Sequence, residues 1–195
     1  MRQPLPRILL AGTGSGCGKT TVTCAVLSAL VRRGLRVGAA KCGPDYIDPM
    51  FHSRITGASC TSLDPFFFDE NTMNLLLARS GEGRELCVIE GVMGYYDGLS
   101  PEKTAASTYE AACMTKTPVV LVLNAKGASS SLLAALHGFL TFCPDSGIAG
   151  VILNQCSAML YPALRKAILE RFDSRVQPLG FLPPMPDCSL ESRRL

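Results

Sequence analysis

A chain of 195 residues with 47% hydrophobic and 18% charged residues has the balance of a soluble globular protein and is long enough for one domain with a sizeable core. Nineteen Lys and Arg against sixteen Asp and Glu leave a net charge of +3, which suits an anionic ligand and is far too weak for a nucleic-acid surface. Nine cysteines with no Cys-x-x-Cys pair and no signal-peptide pattern point to a reduced cytoplasmic setting without a disulfide framework or metal-ligand spacing, and apolar runs of strand length exclude a membrane span.

Residues 8–11 form an apolar strand that breaks into Gly12-Thr13-Gly14-Ser15-Gly16-Cys17-Gly18-Lys19-Thr20-Thr21 and restarts as a helix. Strand, glycine-rich loop and helix start, in that order, make a phosphate-binding loop. The glycines let successive backbone N–H groups turn inward, and the helix N-terminus adds the positive end of its dipole. On this pattern Gly14, Ser15, Gly16, Cys17, Gly18, Lys19, Thr20 and Thr21 cradle a nucleotide. Lys19 reaches the terminal phosphates and the Thr20 hydroxyl ligates Mg²⁺. The strict spacing asks for glycine at position 13, where this chain has Thr13; the glycines at 12, 14 and 16 supply the freedom instead.

The helix predicted over 19–33 carries Val22, Ala25, Val26, Ala29 and Leu30 on one face, with Gly34 at C′ and Arg32 and Arg33 in the last turn. A strand follows at 35–41. The stretch 42–80 reads as irregular, with a short helix after Pro49, capped by Asp48, and another after Asn71. Strands at 86–90, 119–124, 148–154 and 176–182 are nearly continuous apolar runs, the mark of strands covered on both faces. Helices fall between them at 107–114, 129–142 and 162–172. Ser107 and Glu110 fit a capping box, and Leu132, Leu133, Leu136, Phe139 and Leu140 make one apolar face. This alternation predicts an α/β fold of the P-loop NTPase kind, a mainly parallel sheet with helices on both faces, in a single domain over 1–195. Ligands of such sheets gather at the C-terminal strand ends, so residues that follow strands are the candidates.

Lys41, ending the second strand, is placed to bind anions, and Asp45 is placed to hold Mg²⁺ through water. Asp48 is divided between a helix cap and the site, and His52 between substrate contact and a surface helix position. Glu90 closes the next strand, where a buried acid is costly unless paired or metal-bound; it is the metal candidate after Thr20. Gly91, Gly94 and Gly98 let the following loop approach a ligand closely, and Asp97 is either a functional acid or the first residue of an Asp-Gly turn. Asn154 and Asn124 each end a strand, where an amide reads a base edge or caps a loop.

The phosphate loop, the segment Lys41-Cys42-Gly43-Pro44-Asp45-Tyr46-Ile47-Asp48-Pro49-Met50-Phe51-His52 and the segment Glu90-Gly91-Val92-Met93-Gly94-Tyr95-Tyr96-Asp97-Gly98 together resemble the cobyrinate a,c-diamide synthase family over nearly the whole chain. The resemblance implies a dethiobiotin synthetase-like fold and ATP- and Mg²⁺-dependent amidation of the a and c acetates of cobyrinate or hydrogenobyrinate, by way of acyl phosphates, in cobalamin biosynthesis. It implies phosphate, Mg²⁺ or substrate roles for Lys19, Thr20, Asp45, Asp48, Glu90 and Asp97, and an adenine contact for Asn154. Lys41 would offset substrate or phosphate charge. Asn124 stands where many relatives carry an acid. The family also carries a C-terminal glutaminase that supplies ammonia. Residues 185–195 resemble the linker into it, and neither His52 nor His137 is followed two residues later by Glu, so the ammonia-generating half is expected to be absent from these residues.

The neighbouring readings are dethiobiotin synthetase, which the 43–49 segment argues against, and nickel-sirohydrochlorin a,c-diamide synthase. From another class comes a positioning or partition ATPase, whose signature lysine would stand where this chain has Gly14. The expected partners are a tetrapyrrole substrate and ammonia, with neither nucleic acid nor membrane. The oligomeric state, a homodimer among the options, stays open.

Overall fold

The computed structural model describes residues 5–173 and 175–185. The expected linker and Cys188 therefore lie outside the described residues, apart from Met185. The chain alternates strand and helix throughout: β1 (Arg7–Gly12), α1 (Lys19–Arg32), β2 (Val37–Cys42), α2 (Ile47–Thr56), β3 (Thr61–Leu63), α3 (Glu70–Ser80), β4 (Leu86–Glu90), α4 (Thr108–Thr115), β5 (Val119–Asn124), α5 (Ser130–Thr141), β6 (Ile148–Asn154), α6 (Tyr161–Arg171) and β7 (Gln177–Phe181). The seven strands form one sheet in the order β3-β2-β4-β1-β5-β6-β7, and every pairing is parallel.

The near-continuous apolar strands follow from two covered faces. In β5, Val119, Leu121 and Leu123 enter a core with Leu132 and Leu136 of α5 and Leu164 and Ile168 of α6, whereas Val120 and Val122 point to the opposite side, toward α1. The same period of two splits β1, with Leu9 and Ala11 on the first face and Leu10 on the second. Met73 and Leu77 of α3 and Ala111 and Ala112 of α4 fill the rest of the first face; Val22 and Leu27 of α1 and Ile55 of α2 cover the second.

Helix ends follow the local chemistry with two departures. Gly34, at φ 83°, closes α1 as C′: its N–H donates to Val31 O, and Leu35 N–H donates to Leu30 O. Ser107 caps α4 by accepting from Glu110 N–H, and the Glu110 carboxylate reaches back to the N–H of Ala106, one residue earlier than a strict capping box. The stretch 42–80 is not irregular. It contains two helices of 10 and 11 residues and the three-residue edge strand β3. Nor is Asp48 the cap of α2. Asp45 Oδ1 accepts from Ile47 N–H at 2.9 Å and Asp48 N–H at 3.4 Å, so the helix begins two residues before Pro49. Pro49 is tolerated there because the first-turn N–H groups have no partner within the helix. The eight described cysteines are free thiols, and Cys17, Cys42, Cys87 and Cys156 are buried in the core. Among the described residues no helix is long and apolar enough to cross a membrane.

Candidate functional site

The chain leaves β4 on one side of β1 and returns as β5 on the other, so the C-terminal end of β1 is where successive crossovers part. The phosphate loop sits there. Its shape depends on two glycines. At Gly12 a Cβ would stand 2.3 Å from Cys17 Sγ, which lets the loop fold tightly over the strand end. Gly18 has φ 95°, and a Cβ there would lie 2.0 Å from Asn154 Nδ2. That asparagine, buried at the end of β6, donates to Cys17 O at 3.0 Å and latches the loop to the sheet. Its amide nitrogen is thus committed to the loop.

Lys19 opens α1 and is largely buried, and burial lowers its pKa. Its Nζ donates to Gly14 O at 3.1 Å and to Met93 O. Met93 reaches that position with φ 50°, an uncommon conformation for a residue with a side chain. The loop after β4 is otherwise pinned: Tyr95 N–H donates to Gly12 O, and the Thr108 hydroxyl both donates to Val92 O and accepts from Val92 N–H. Lys19 therefore bridges the two loops that border the site.

Below it lies a cluster of charged side chains with almost no solvent. Glu90, fully buried, sends Oε1 toward the Thr20 hydroxyl, which donates to it at 2.7 Å, and toward Lys41 Nζ at 3.5 Å. Lys41 Nζ is also 3.4 Å from Asp48 Oδ2 and donates to Gly91 O at 2.7 Å. Asp48 Oδ2 is itself 3.3 Å from Thr20 Oγ1. The second Glu90 oxygen, Oε2, faces His52 Nε2 at 2.7 Å. The two atoms are close without meeting hydrogen-bond geometry, and neither has another hydrogen-bond partner.

Burial works to raise the Glu90 pKa, but the His52 contact, the Lys41 charge and the Thr20 hydroxyl outweigh it and hold the carboxyl below its usual value. Asp48 goes the other way, raised by burial and then by the Glu90 charge, against Lys41. Its side chain is hydrogen-bonded to that of Asp45; burial raises the Asp45 pKa, but the N–H groups at the start of α2 and the Asp48 bond lower it overall. Within the cluster the surroundings thus favour ionisation of one carboxyl and disfavour that of another.

Magnesium asks for hard oxygen donors and keeps waters and phosphate oxygens of its own. Thr20 Oγ1 and Glu90 Oε1, with Asp48 Oδ2 beside them, are such donors. Among the described residues no group of three His, Cys, Asp or Glu side chains could by itself hold a metal ion. The residues fit an ion held between protein and phosphate.

The structure brings together Lys19, Thr20, Lys41, Asp45, Asp48 and Glu90. It puts Asp97, exposed, in a turn where Oδ2 accepts from Gly94 N–H at 2.7 Å, and Asn124, also exposed, in a turn where Oδ1 accepts from Lys126 N–H at 3.0 Å. Two features escape the sequence reading. His52 is fully buried against Glu90 and is not a surface position. It is also partnered by a thiol, since Cys60 Sγ lies 3.7 Å from His52 Nδ1. Cys60, His52 and Glu90 stand in line as in a thiol hydrolase, but burial pushes the Cys60 thiol up to about 12, which leaves no nucleophilic thiolate at neutral pH. The one sequence signal for His52 is its spacing of four from Asp48, which puts both on one face of α2.

The chain is 43% identical over 190 residues to a cobyrinate a,c-diamide synthase of Listeria monocytogenes, covering 97% of this chain and 42% of that protein. Synthases of the same name from Clostridium acetobutylicum and Salmonella typhimurium are 44% and 40% identical, over 96% of this chain and 42% and 40% of theirs. The chain thus spans about two fifths of the length of these curated relatives. Among solved structures, cell division protein ftsY of Thermotoga maritima superposes with a TM-score of 0.63 at 14% identity, covering 94% of this chain and 63% of that one. The hydrogenase maturation factor HypB of Archaeoglobus fulgidus gives 0.54 at 14%, covering 90% and 80%. These two likenesses bear on the fold. The CobQ/CobB/MinD/ParA nucleotide binding domain matches residues 8–194, which take in the phosphate loop, the charged cluster and six of the seven strands whole. On that extent of match, with the loop lysine, its threonine and the facing carboxylate all in place, the chain belongs to the CobQ/CobB/MinD/ParA nucleotide-binding domain family.

Proposed function

We propose that these residues are the ATP-binding synthetase part of a cobyrinate a,c-diamide synthase, which activates the a and c acetates of a corrin precursor for attack by ammonia. The observation that carries the reading is the convergence of Lys19, Thr20, Lys41, Asp48 and Glu90 at the C-terminal ends of three adjacent strands and the starts of α1 and α2. The identity to synthases of that name supports the choice of substrate. Tyr46 and Met50 at the start of α2, and Met93 in the loop that Lys19 bonds, are exposed apolar side chains that a large flat ring would cover.

A carboxylate is a poor acyl donor because an oxide would have to leave. Attack by its oxygen on the γ-phosphorus of ATP breaks the bond to the bridging oxygen, releases ADP and forms an acyl phosphate. Ammonia then attacks the acyl carbon, phosphate leaves with the C–O electron pair, and the nitrogen loses a proton to give the amide. Lys19 and the backbone N–H groups of Gly14 to Thr20 hold the transferring phosphoryl and balance its charge. Lys41, buried beside two carboxylates, offsets substrate or phosphate charge. Thr20 and Glu90, with Asp48 and with Asp45 through water, would hold Mg²⁺, whose charge would lower the repulsion between phosphate and attacking carboxylate. Asp97, whose Oδ2 holds the Gly94 turn, would shape the metal shell or the substrate end. Asn154, its nitrogen spent on the loop, offers Oδ1 to the amine of adenine.

ATP titration by calorimetry against wild type and Lys19→Ala tests the nucleotide half; equal affinity would remove the phosphate-loop assignment. ADP release tests the substrate half. It is expected to depend on cobyrinate or a close tetrapyrrole and to be unsupported by 7,8-diaminopelargonate with bicarbonate. The reverse preference would move the assignment to dethiobiotin synthetase.

A further inference from the structure

We infer that His52 is a positioning residue for the metal end of the site: it holds one oxygen of Glu90 so that the other faces the Thr20 hydroxyl. The inference rests on the reading of Thr20 and Glu90 as the magnesium pair. A glutamate carboxylate turns easily about its last torsion, so an unheld Glu90 presents either oxygen, or its edge, to Thr20. Here the two oxygens have separate neighbours. Oε1 is 2.7 Å from Thr20 Oγ1, and Oε2 is 2.7 Å from His52 Nε2.

His52 has no solvent contact, and apart from each other neither Nε2 nor Oε2 has a neighbour to hydrogen-bond. An Nε2–H turned onto Oε2 satisfies both atoms at once. The other ring nitrogen selects the tautomer needed. Nδ1 lies 3.7 Å from Cys60 Sγ, nearer than the thiol's other acceptor, Thr61 O at 4.0 Å; with the thiol donating to Nδ1, the ring proton sits on Nε2 and faces Glu90. The arrangement also belongs to one helix. Asp48 and His52 are one turn apart on α2, so the helix that sets Asp48 at 3.3 Å from Thr20 also sets the clamp on Glu90. Groups that orient a metal-binding side chain are worth about 10- to 100-fold in metal affinity.

The test is Mn²⁺ binding by electron paramagnetic resonance with a non-hydrolysable ATP analogue present, alongside the affinity of that analogue in EDTA, for wild type, Thr20→Ala, His52→Ala and His52→Gln. His52→Ala is expected to bind Mn²⁺ about 10- to 100-fold more weakly with unchanged analogue affinity in EDTA, and His52→Gln, whose amide can donate to Oε2, to regain most of the loss. If Thr20→Ala loses Mn²⁺ and His52→Ala does not, the positioning role falls and the magnesium reading stands. If Thr20→Ala binds Mn²⁺ like wild type, the magnesium reading falls and the inference falls with it. His52→Gln as weak as His52→Ala would make the histidine packing alone. One measurement needs no variant. The sequence has two histidines, so ¹⁵N-histidine NMR of the wild type resolves His52 from His137, and an Nε2 without its proton overturns the proposal.

Discussion

Asp48 stands in the charged cluster at the expense of the fold. It is buried beside Glu90, and although Lys41 is 3.4 Å away, its pKa is raised above the ordinary aspartate value by burial and by the Glu90 charge. Ionising it therefore costs folding free energy. That cost is absent below the unfolded value near pH 4, grows as pH rises through the raised folded value, and is complete above it. Asp48→Asn keeps an acceptor for Lys41, which still has Glu90 and the Gly91 carbonyl. We expect the variant to melt about 2–4 °C higher than wild type at pH 7.5, with the difference closing toward pH 4, and to turn over more slowly. Melting curves across that range check it; a variant less stable at high pH would show that the Lys41 pair outweighs the desolvation. Glu90 is the opposite case. Its folded pKa is lowered, so its stabilising contribution is present above the unfolded value and is lost as pH falls through the folded one. Lys41 and Glu90 were legible in sequence because each ends an apolar strand, and strand ends are where this class of sheet binds ligands. His52 was not. A histidine on a short helix shows its burial only when the packing of that helix is known.

At the scale of the element, the phosphate loop is a joint between β1, α1 and the end of β6, and its parts are coupled. Gly18→Ala is expected to fail for two reasons: the new Cβ would stand 2.0 Å from Asn154 Nδ2, and a left-handed backbone costs a residue with a side chain about 1–2 kcal/mol. Asn154→Ala leaves Cys17 O without its donor, at a cost of about 1–3 kcal/mol, and loosens the loop, so ATP affinity should fall by about tenfold. The double variant removes the clash but not the backbone strain. It should therefore be more stable than the sum of the two single losses, and a double-mutant cycle on unfolding free energies measures the difference. Additive losses would mean that the two residues do not meet. The sequence showed this loop as a motif but not its latch, because the asparagine is 137 residues from Cys17. The stretch 42–80 was misread for a local reason. Asp45, three residues earlier than the apparent Asp48-Pro49 start, supplies the cap, and a three-residue edge strand has too few alternations to register as a period.

For the whole molecule, alternation of apolar runs and helical faces made the α/β class legible, whereas the order β3-β2-β4-β1-β5-β6-β7 was not, because a parallel crossover does not record which neighbour it reaches. That order matters chemically. It gathers Lys41, Glu90 and the phosphate loop at the ends of three adjacent strands, where the proposed activation of a carboxylate would take place. Making ammonia is a separate task. A glutamine hydrolase needs a thiolate beside a histidine, and the one such contact described here, Cys60 with His52, is buried, protonated and turned onto Glu90, while His137 stacks near Phe172 with ring centres 6.3 Å apart. On the proposed function, acyl phosphate formation needs only the nucleotide site, and ammonia at high concentration would replace a delivered one by mass action. The purified 195-residue chain, given ATP, Mg²⁺ and cobyrinate, is therefore expected to form amide with ammonium and not with glutamine. Where water reaches the acyl phosphate first, ADP will exceed amide. Measuring both products across an ammonium series tests this: the ratio of ADP to amide should fall toward one as ammonium rises, since each captured acyl phosphate then consumes one ATP. Glutamine-dependent amide formation by this chain would show that a hydrolase site exists within it and would send the search back to its cysteines.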